Sequence, residues 1–202
     1  MTAELKVLQA LRLKGRIAVV DIAGAVDEDP VAVNETVVRL VDSGLLLADR
    51  TVRLSQEGRA RLQELLAVER QGADRRAIGV AYGDFRSLNR DFKELVSDWQ
   101  LRDGQPNSHD DSGYDAAVLE RLDGVHRRVV PIIAAVSEQL PRLSAYADRL
   151  GAAYAKVRRG ETMWLTRPLI DSYHTVWFEL HEELIGAAGL TRDGEARAGH
   201  AE

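Results

Sequence analysis

Cysteine is absent from the 202 residues of this chain. Disulfides, thiolate catalysis and zinc or iron–sulfur sites built on cysteine are therefore excluded. Long apolar runs are absent too: none reaches the roughly 18 residues that a membrane-crossing helix needs. Residues 1–12 carry Glu4 and read as an amphipathic helix rather than a signal peptide. These absences place the chain in the cytoplasm. Positive charge is also in short supply. The formal net charge is -5, with 10 Lys/Arg against 11 Asp/Glu in residues 1–70 and 17 against 21 in the remainder. Nucleic-acid binding usually leaves a basic footprint, so this balance weighs against it. The chain has no internal repeat, no phosphate-cradling glycine motif, no Gly-x-Ser-x-Gly elbow and no His-Glu-x-x-His. No spacing assembles a nucleophile, a base and an orienting group, so the expectation is a non-enzyme without a cofactor.

What is present is helical periodicity. Leu5, Leu8 and Leu11, with Val7, mark one face of a first helix ending near Gly15. Residues 16–19 are short and β-branched and predict a small strand. Ile22 and Val26, four apart, predict a short helix over residues 21–26. Asp29-Pro30 is a helix start, since Asp caps free N–H groups and Pro suits the first helical position. Val33, Val37, Leu40 and Val41 then repeat as a core face to about Ser43. Gly44 stands where a left-handed residue ends a helix. Residues 45–47 and 51–54 predict a hairpin, and Ser55 caps a helix running to about Arg70.

The order helix, strand, helix, helix, strand, strand, helix resembles the winged helix-turn-helix of MarR-like bacterial regulators. The stretches that carry the resemblance are Arg39-Leu40-Val41-Asp42-Ser43-Gly44-Leu45-Leu46 and Val52-Arg53-Leu54-Ser55-Gln56-Glu57-Gly58-Arg59. The resemblance covers about a third of the chain. It implies a third helix in the major groove of double-stranded DNA and a wing over the backbone. At 100° per residue, Ala32, Glu35, Arg39 and Asp42 lie opposite the core face, with Asn34 and Thr36 on the flanks. The expected DNA-binding residues are Asn34, Glu35, Thr36 and Arg39 on the helix and Arg50 and Arg53 on the wing. One Arg beside two acids departs from the basic pattern of such helices. The competing reading is a module that binds protein or simply packs against the rest of the chain.

After a joint at residues 71–73 the pattern is helical almost throughout, predicting an antiparallel bundle over residues 74–190. Ile78, Ala81, Phe85, Leu88, Phe92, Leu95 and Trp99 predict a helix of about seven turns. A polar loop follows over 104–113. Leu122, Val125, Val129 and Ile132 mark a second helix that Pro131 should kink or interrupt, and Pro141 breaks or restarts the chain. Leu143, Tyr146, Leu150, Ala153 and Val157 mark a third helix. Thr166 and Pro168 are expected to open a fourth, with Ile170, Tyr173, Trp177, Leu180 and Leu184 on its apolar face. Residues 191–202 read as a disordered tail. The fold class is thus mainly α, a winged helix-turn-helix (1–70) followed by a helical bundle.

Chemistry concentrates at residues 171–183. His174 and His181 are seven apart, about 10.5 Å along a helix, too far for one zinc. Asp171 and His174, three apart, can share an ion that His126 or His109 would complete, but nothing in the sequence brings them together. The favoured reading is that both histidines hydrogen-bond inside the bundle, with Asp171, Tyr173, Glu182 and Asp115 as candidate partners. The third reading is a small-molecule pocket walled by Trp99, Tyr146, Tyr173 and Trp177, with His174 and His181 as polar contacts.

The Asp98-Trp99-Gln100-Leu101-Arg102 segment, the loop from Asn107 to Tyr114 and Ser172-Tyr173-His174-Thr175-Val176-Trp177-Phe178-Glu179-Leu180-His181-Glu182 resemble uncharacterised actinobacterial helical proteins related to phosphoenolpyruvate-utilising, dikinase-like enzymes. The phosphotransfer histidine domain of those enzymes has no counterpart here. The resemblance therefore implies an accessory protein of such an enzyme. The first expectation remains a ligand-responsive DNA-binding transcriptional regulator. A homodimer is expected, because a helical extension of about 130 residues with wide apolar seams has more hydrophobic surface than one bundle needs.

Overall fold

The computed structural model describes residues 2–26 and 28–199. It is mainly helical, with two small antiparallel two-stranded sheets among the described residues. The chain divides into two compact units, Met1–Ala73 and Asp74–Glu202.

In the first unit the order is α1 (Ala3–Lys14), α2 (Val19–Val26), α3 (Pro30–Asp42), β1 (Leu46–Ala48), β2 (Val52–Leu54) and α4 (Gln56–Gln71). Leu5, Leu8 and Leu11 of α1 and Val33, Val37 and Leu40 of α3 converge with Ile22, Leu46, Val52, Leu54 and Leu62 in one apolar core. The start of α3 follows from its cap: Asp29 accepts hydrogen bonds from the N–H groups of Val31 and Ala32 at 3.0 and 3.2 Å, an arrangement generally worth about 1 kcal/mol. Gly44 adopts φ 75° and lets the chain leave α3 for β1. The predicted strand at residues 16–19 shrinks to a single bridge. Ile17 exchanges two hydrogen bonds with Val52, at 3.2 and 2.9 Å, and Val19 already begins α2.

The turn from β2 into α4 depends on a close backbone approach. The Leu45 carbonyl accepts from both Ser55 N (3.1 Å) and Ser55 Oγ (3.0 Å). Ser55 Oγ in turn accepts from Gly58 N at 2.9 Å. A Cβ on residue 58 would lie 2.0 Å from the Leu45 oxygen, so only glycine fits.

The second unit runs α5 (Arg75–Gln100), β3 (Leu101–Arg102), β4 (Gln105–Pro106), α6 (Ser112–Gln139), a 3-10 turn at Pro141–Ser144, α7 (Ala145–Arg158), α8 (Met163–Thr166), α9 (Tyr173–Ala187) and α10 (Arg192–Arg197). Helices α5 and α6 pack extensively on each other, and α9 packs on both α5 and α7. The buried stripe of α5, from Ile78 through Phe85 and Phe92 to Trp99, follows the predicted spacing.

Three expectations need correction. Pro131 does not interrupt α6, which is helical across all 28 residues. Its ring lies on the exposed side, so the Arg127 carbonyl that loses its helical donor faces solvent, where the loss costs least. Thr166 ends α8 instead of opening a helix. Leu169 turns the chain at φ 68°, and Ser172 caps α9 by accepting from Thr175 N at 3.3 Å. Finally, the expected disordered tail contains α10. Thr191 caps it through Gly194 N at 3.2 Å, and Glu195 is buried against Tyr82, whose hydroxyl donates to it at 2.5 Å. Residues 200–202 of that expected tail lie outside the described residues.

Candidate functional site

Two places carry the residues singled out by the sequence, one in each unit. On the first, α3 turns Val33, Thr36, Val37 and Leu40 into the core and leaves Asn34, Glu35, Arg39 and Asp42 exposed. Arg50 and Arg53 are exposed on and beside the β1–β2 hairpin. Five of the six expected contact residues therefore face outward. Thr36 does not: it is 2% exposed, its hydroxyl donates to the Ala32 carbonyl at 2.9 Å, and it accepts from Arg39 Nη2 at 3.0 Å. A threonine can meet its hydroxyl's needs on the preceding turn of its own helix, which allows it a core position. Its effect on the surface is indirect, through the bond that steadies the Arg39 guanidinium.

The second place is a pocket of about 370 Å³ between α5 and α9, reached also by Arg192 of α10. Phe92, Trp177 and Phe178 supply its apolar wall, while Asn89, His174 and His181 supply polar atoms. The wall is rigid. Trp177 stacks on Phe85 at 4.9 Å and meets Phe92 at 4.4 Å, and its Nε1 donates to Asn89 Oδ1 at 2.8 Å. Arg192 pairs with Glu182 and lies over the Phe178 ring at 4.7 Å.

Of the six residues expected to line a pocket, His174, Trp177 and His181 are together. The other three are not. Tyr173 is fully buried beside Phe92, with its hydroxyl 3.3 Å from His126 Nδ1. Trp99 packs against His109 at 4.5 Å. Tyr146 lies under the Arg149 guanidinium at 5.2 Å.

The histidines do not find the hydrogen-bond partners foreseen for them. Asp171 is taken by Arg149 at 3.0 Å, Asp115 by His109 at 2.9 Å, and Glu182 by Arg192. His174 is exposed, with its ring 6.0 Å from Phe92. His181 is buried, and among the described residues its Nε2 has no hydrogen-bond partner. Burial pushes the His181 imidazole down to about 4, more than its neighbours Glu182 and Glu195 can restore. Among the described residues no three His, Asp or Glu side chains stand close enough together to hold a metal.

A buried charge network was not foreseen. Arg149 meets Glu179 at 2.7 Å, and Arg142 meets Glu183 at 2.6 Å, with Glu179 and Glu183 4% and 3% exposed. Tyr146 lies in the same cluster, its hydroxyl pushed well up by burial and by Glu183 and Glu179. The signal lay in the spacing: two acids four apart amid the apolar residues of α9, and two arginines seven apart before and within α7.

Comparison with known proteins gives no match: no family model, no curated protein and no solved structure corresponds to this chain.

Proposed function

We propose that the chain is a ligand-responsive DNA-binding transcriptional regulator whose first unit is a winged helix-turn-helix and whose second unit is a helical bundle that senses an effector. The observation that carries this reading is the outward face of α3 with the hairpin beside it in sequence. Arg39, Arg50 and Arg53 are exposed, while Val33, Val37 and Leu40 of α3 are buried in the core. The Ile17–Val52 bridge supports it further, because it ties the segment before α2 to the hairpin as a wing requires. In this reading Asn34, Glu35 and Arg39 face base edges and Arg50 and Arg53 face phosphates.

The pocket of the second unit supports the sensing role. It combines an aromatic wall with a few polar groups, the usual make-up of a small-molecule site. The regulator acts as a homodimer, since twofold proteins match twofold operators. An effector changes DNA affinity by binding one arrangement of the two winged modules more tightly than the other.

One observation favours a second reading. Glu35 and Asp42 share the exposed face of α3 with Arg39, and carboxylates are repelled by phosphates. An accessory protein whose α3 face meets a protein partner, such as a phosphoenolpyruvate-utilising enzyme, tolerates those acids. A gel-shift titration against the DNA upstream of the chain's own coding sequence, at low and moderate salt, decides between them. Retarded bands that weaken with salt support the regulator, and no retardation at either salt supports the accessory protein.

A further inference from the structure

Helix α6 has two apolar faces, and only one of them is buried. Val118, Leu122, Val125, Val129, Ile133 and Val136 form the buried face. On the other side Val130, Pro131, Ala134 and Ala135 are exposed, and Val80 of the neighbouring α5 is 60% exposed. An open groove of about 820 Å³ runs between the two helices, and Ala77, Val80, Pro131, Ile132 and Ala135 are its apolar lining. Pro131 removes a backbone donor from its own helix, and its ring lines this groove.

Two charges bracket the exposed face. Arg127 and Glu138 are both exposed, and among the described residues neither makes a hydrogen bond or an ion pair. At 100° per residue, Arg127, Pro131, Ala134 and Glu138 fall within about 60° of one another, so they form one stripe. The stripe has a symmetry of its own. About a midpoint between Ile132 and Ile133, the counterpart of Arg127 is Glu138, that of Pro131 is Ala134, and that of Val130 is Ala135.

We propose that this face seats a second copy of the chain, with the two α6 helices antiparallel across a twofold axis at that midpoint. Arg127 of each copy then meets Glu138 of the other, and Pro131 meets Ala134. This gives a surface to the homodimer of the regulator reading, on which it rests, and it needs neither DNA nor effector. A twofold contact sets a patch against itself, so the patch has to be self-complementary. A patch of one sign fails that condition, because it repels its own copy. The groove meets it: Arg76, Arg127 and Arg128 are balanced by Asp74, Asp84 and Glu138, although the whole chain carries a net charge of -5. Charge also sets the direction. A parallel pairing would put Arg127 against Arg127 and Glu138 against Glu138, whereas the antiparallel pairing puts opposite signs together at both ends. Between those ends the side chains are small, so the helices can approach closely, and the apolar area withdrawn from water supplies the attraction.

The test is sedimentation equilibrium of the full chain at micromolar concentration and low salt, without DNA. The parent is expected to be a dimer. Ala134→Glu puts a charge at the centre of the contact from an exposed position, and it is expected to give a monomer with unchanged helix content by circular dichroism. Arg127→Glu alone and Glu138→Arg alone each set like charges opposite one another, twice per dimer by symmetry, and each should weaken dimerisation about tenfold or more. The double reversal, Arg127→Glu with Glu138→Arg, should return the affinity to within about threefold of the parent. Within one chain the two positions lie about 16.5 Å apart along the helix, too far to meet, so such a return reports a contact between copies. A monomeric parent overturns the proposal, and the homodimer of the regulator reading with it. A dimer that Ala134→Glu leaves intact, or a double reversal that binds no tighter than the single changes, overturns this surface alone and leaves a homodimer built elsewhere.

Discussion

Arg149 and Glu179 form an ion pair at 2.7 Å with their side chains only 11% and 4% exposed. Burial works against the Arg149 charge, but Glu179 and Asp171 outweigh it and hold the guanidinium charged above its usual range. One turn further along α9, Glu183 pairs with Arg142 at 2.6 Å. The two pairs join α9 to α7 and to the turn before it. They commit the second unit to one packing, because a slip along the helix would strand four buried charges.

Removing one partner of such a pair leaves the other charge buried alone. Glu179→Ala should lower stability by about 3–5 kcal/mol, while the double change Glu179→Leu with Arg149→Met should cost much less than the two single changes together. Urea unfolding of the parent, Glu179→Ala, Glu179→Leu, Arg149→Met and the double change measures this. A Glu179→Ala loss below about 1 kcal/mol would show that the pair is not buried in solution.

Among the glycines of the first unit, Gly58 leaves the least room for a Cβ. With 2.0 Å between a residue-58 Cβ and the Leu45 carbonyl oxygen, Gly58→Ala must displace β1 or the start of α4. The expected cost is about 1–3 kcal/mol or more. Gly24→Ala, where a Cβ meets nothing within 4 Å, serves as the control and should be neutral or slightly stabilising. Thermal unfolding of both variants separates the two cases, and equal midpoints would refute the contact.

His181 gives stability a dependence on acid. Its folded value of about 4 lies below the ordinary 6.5, with burial as the main cause. Above pH 6.5 the ring is neutral in both folded and unfolded chains and contributes nothing to the pH dependence. Between 6.5 and 4 the unfolded chain takes up the proton and the folded chain does not, so stability falls as pH falls. The loss amounts to about 3 kcal/mol. His181→Phe should remove that part of the slope between pH 6.5 and 4, as measured by urea midpoints, and an identical slope in the variant contradicts the burial of the ring.

The acids of α3 provide a test that depends on sign. If the exposed face of α3 meets DNA, Glu35→Gln and Asp42→Asn should each strengthen non-specific binding by removing repulsion from phosphates. Fluorescence anisotropy with a scrambled duplex measures it. Weaker or unchanged binding in both variants means that this face does not approach the duplex.

The elements of the first unit were largely legible because each boundary carries a local signal. Asp29-Pro30 starts α3, Gly44 ends it and Ser55 caps α4. Thr36 was misplaced because angular position alone cannot tell a flank from a core edge, and its hydroxyl is satisfied by Ala32 of its own helix. In the second unit the error at Thr166-x-Pro168 has the same origin. A hydroxyl followed by proline marks a helix start in many chains, but here Ser172 has the better cap and Leu169 takes a left-handed turn in between. The pocket was legible only in part. His174, Trp177 and His181 fall on one helix and stay together, whereas Trp99 and Tyr146 sit on other elements, where periodicity marks them as buried without saying against what. The spacing of Glu179 and Glu183 and of Arg142 and Arg149 hints at buried charges, but which acid meets which arginine is not legible, since thirty residues separate Arg149 from Glu179.

If the first unit binds DNA as proposed, Arg39, Arg50 and Arg53 carry the attraction. The most direct measurement is the salt dependence of binding to the upstream duplex, for the parent chain and for Arg39→Ala, Arg50→Ala and Arg53→Ala. Measurable affinity is expected at low salt. Each change at a phosphate contact should weaken binding across all sequences and reduce the slope of log K against log salt by about one unit. Arg39→Ala should also relax sequence preference by roughly 1–3 kcal/mol if it meets a guanine edge. Equally negligible affinity in parent and variants, even at low salt, would contradict the account and leave α3 as a protein-binding face.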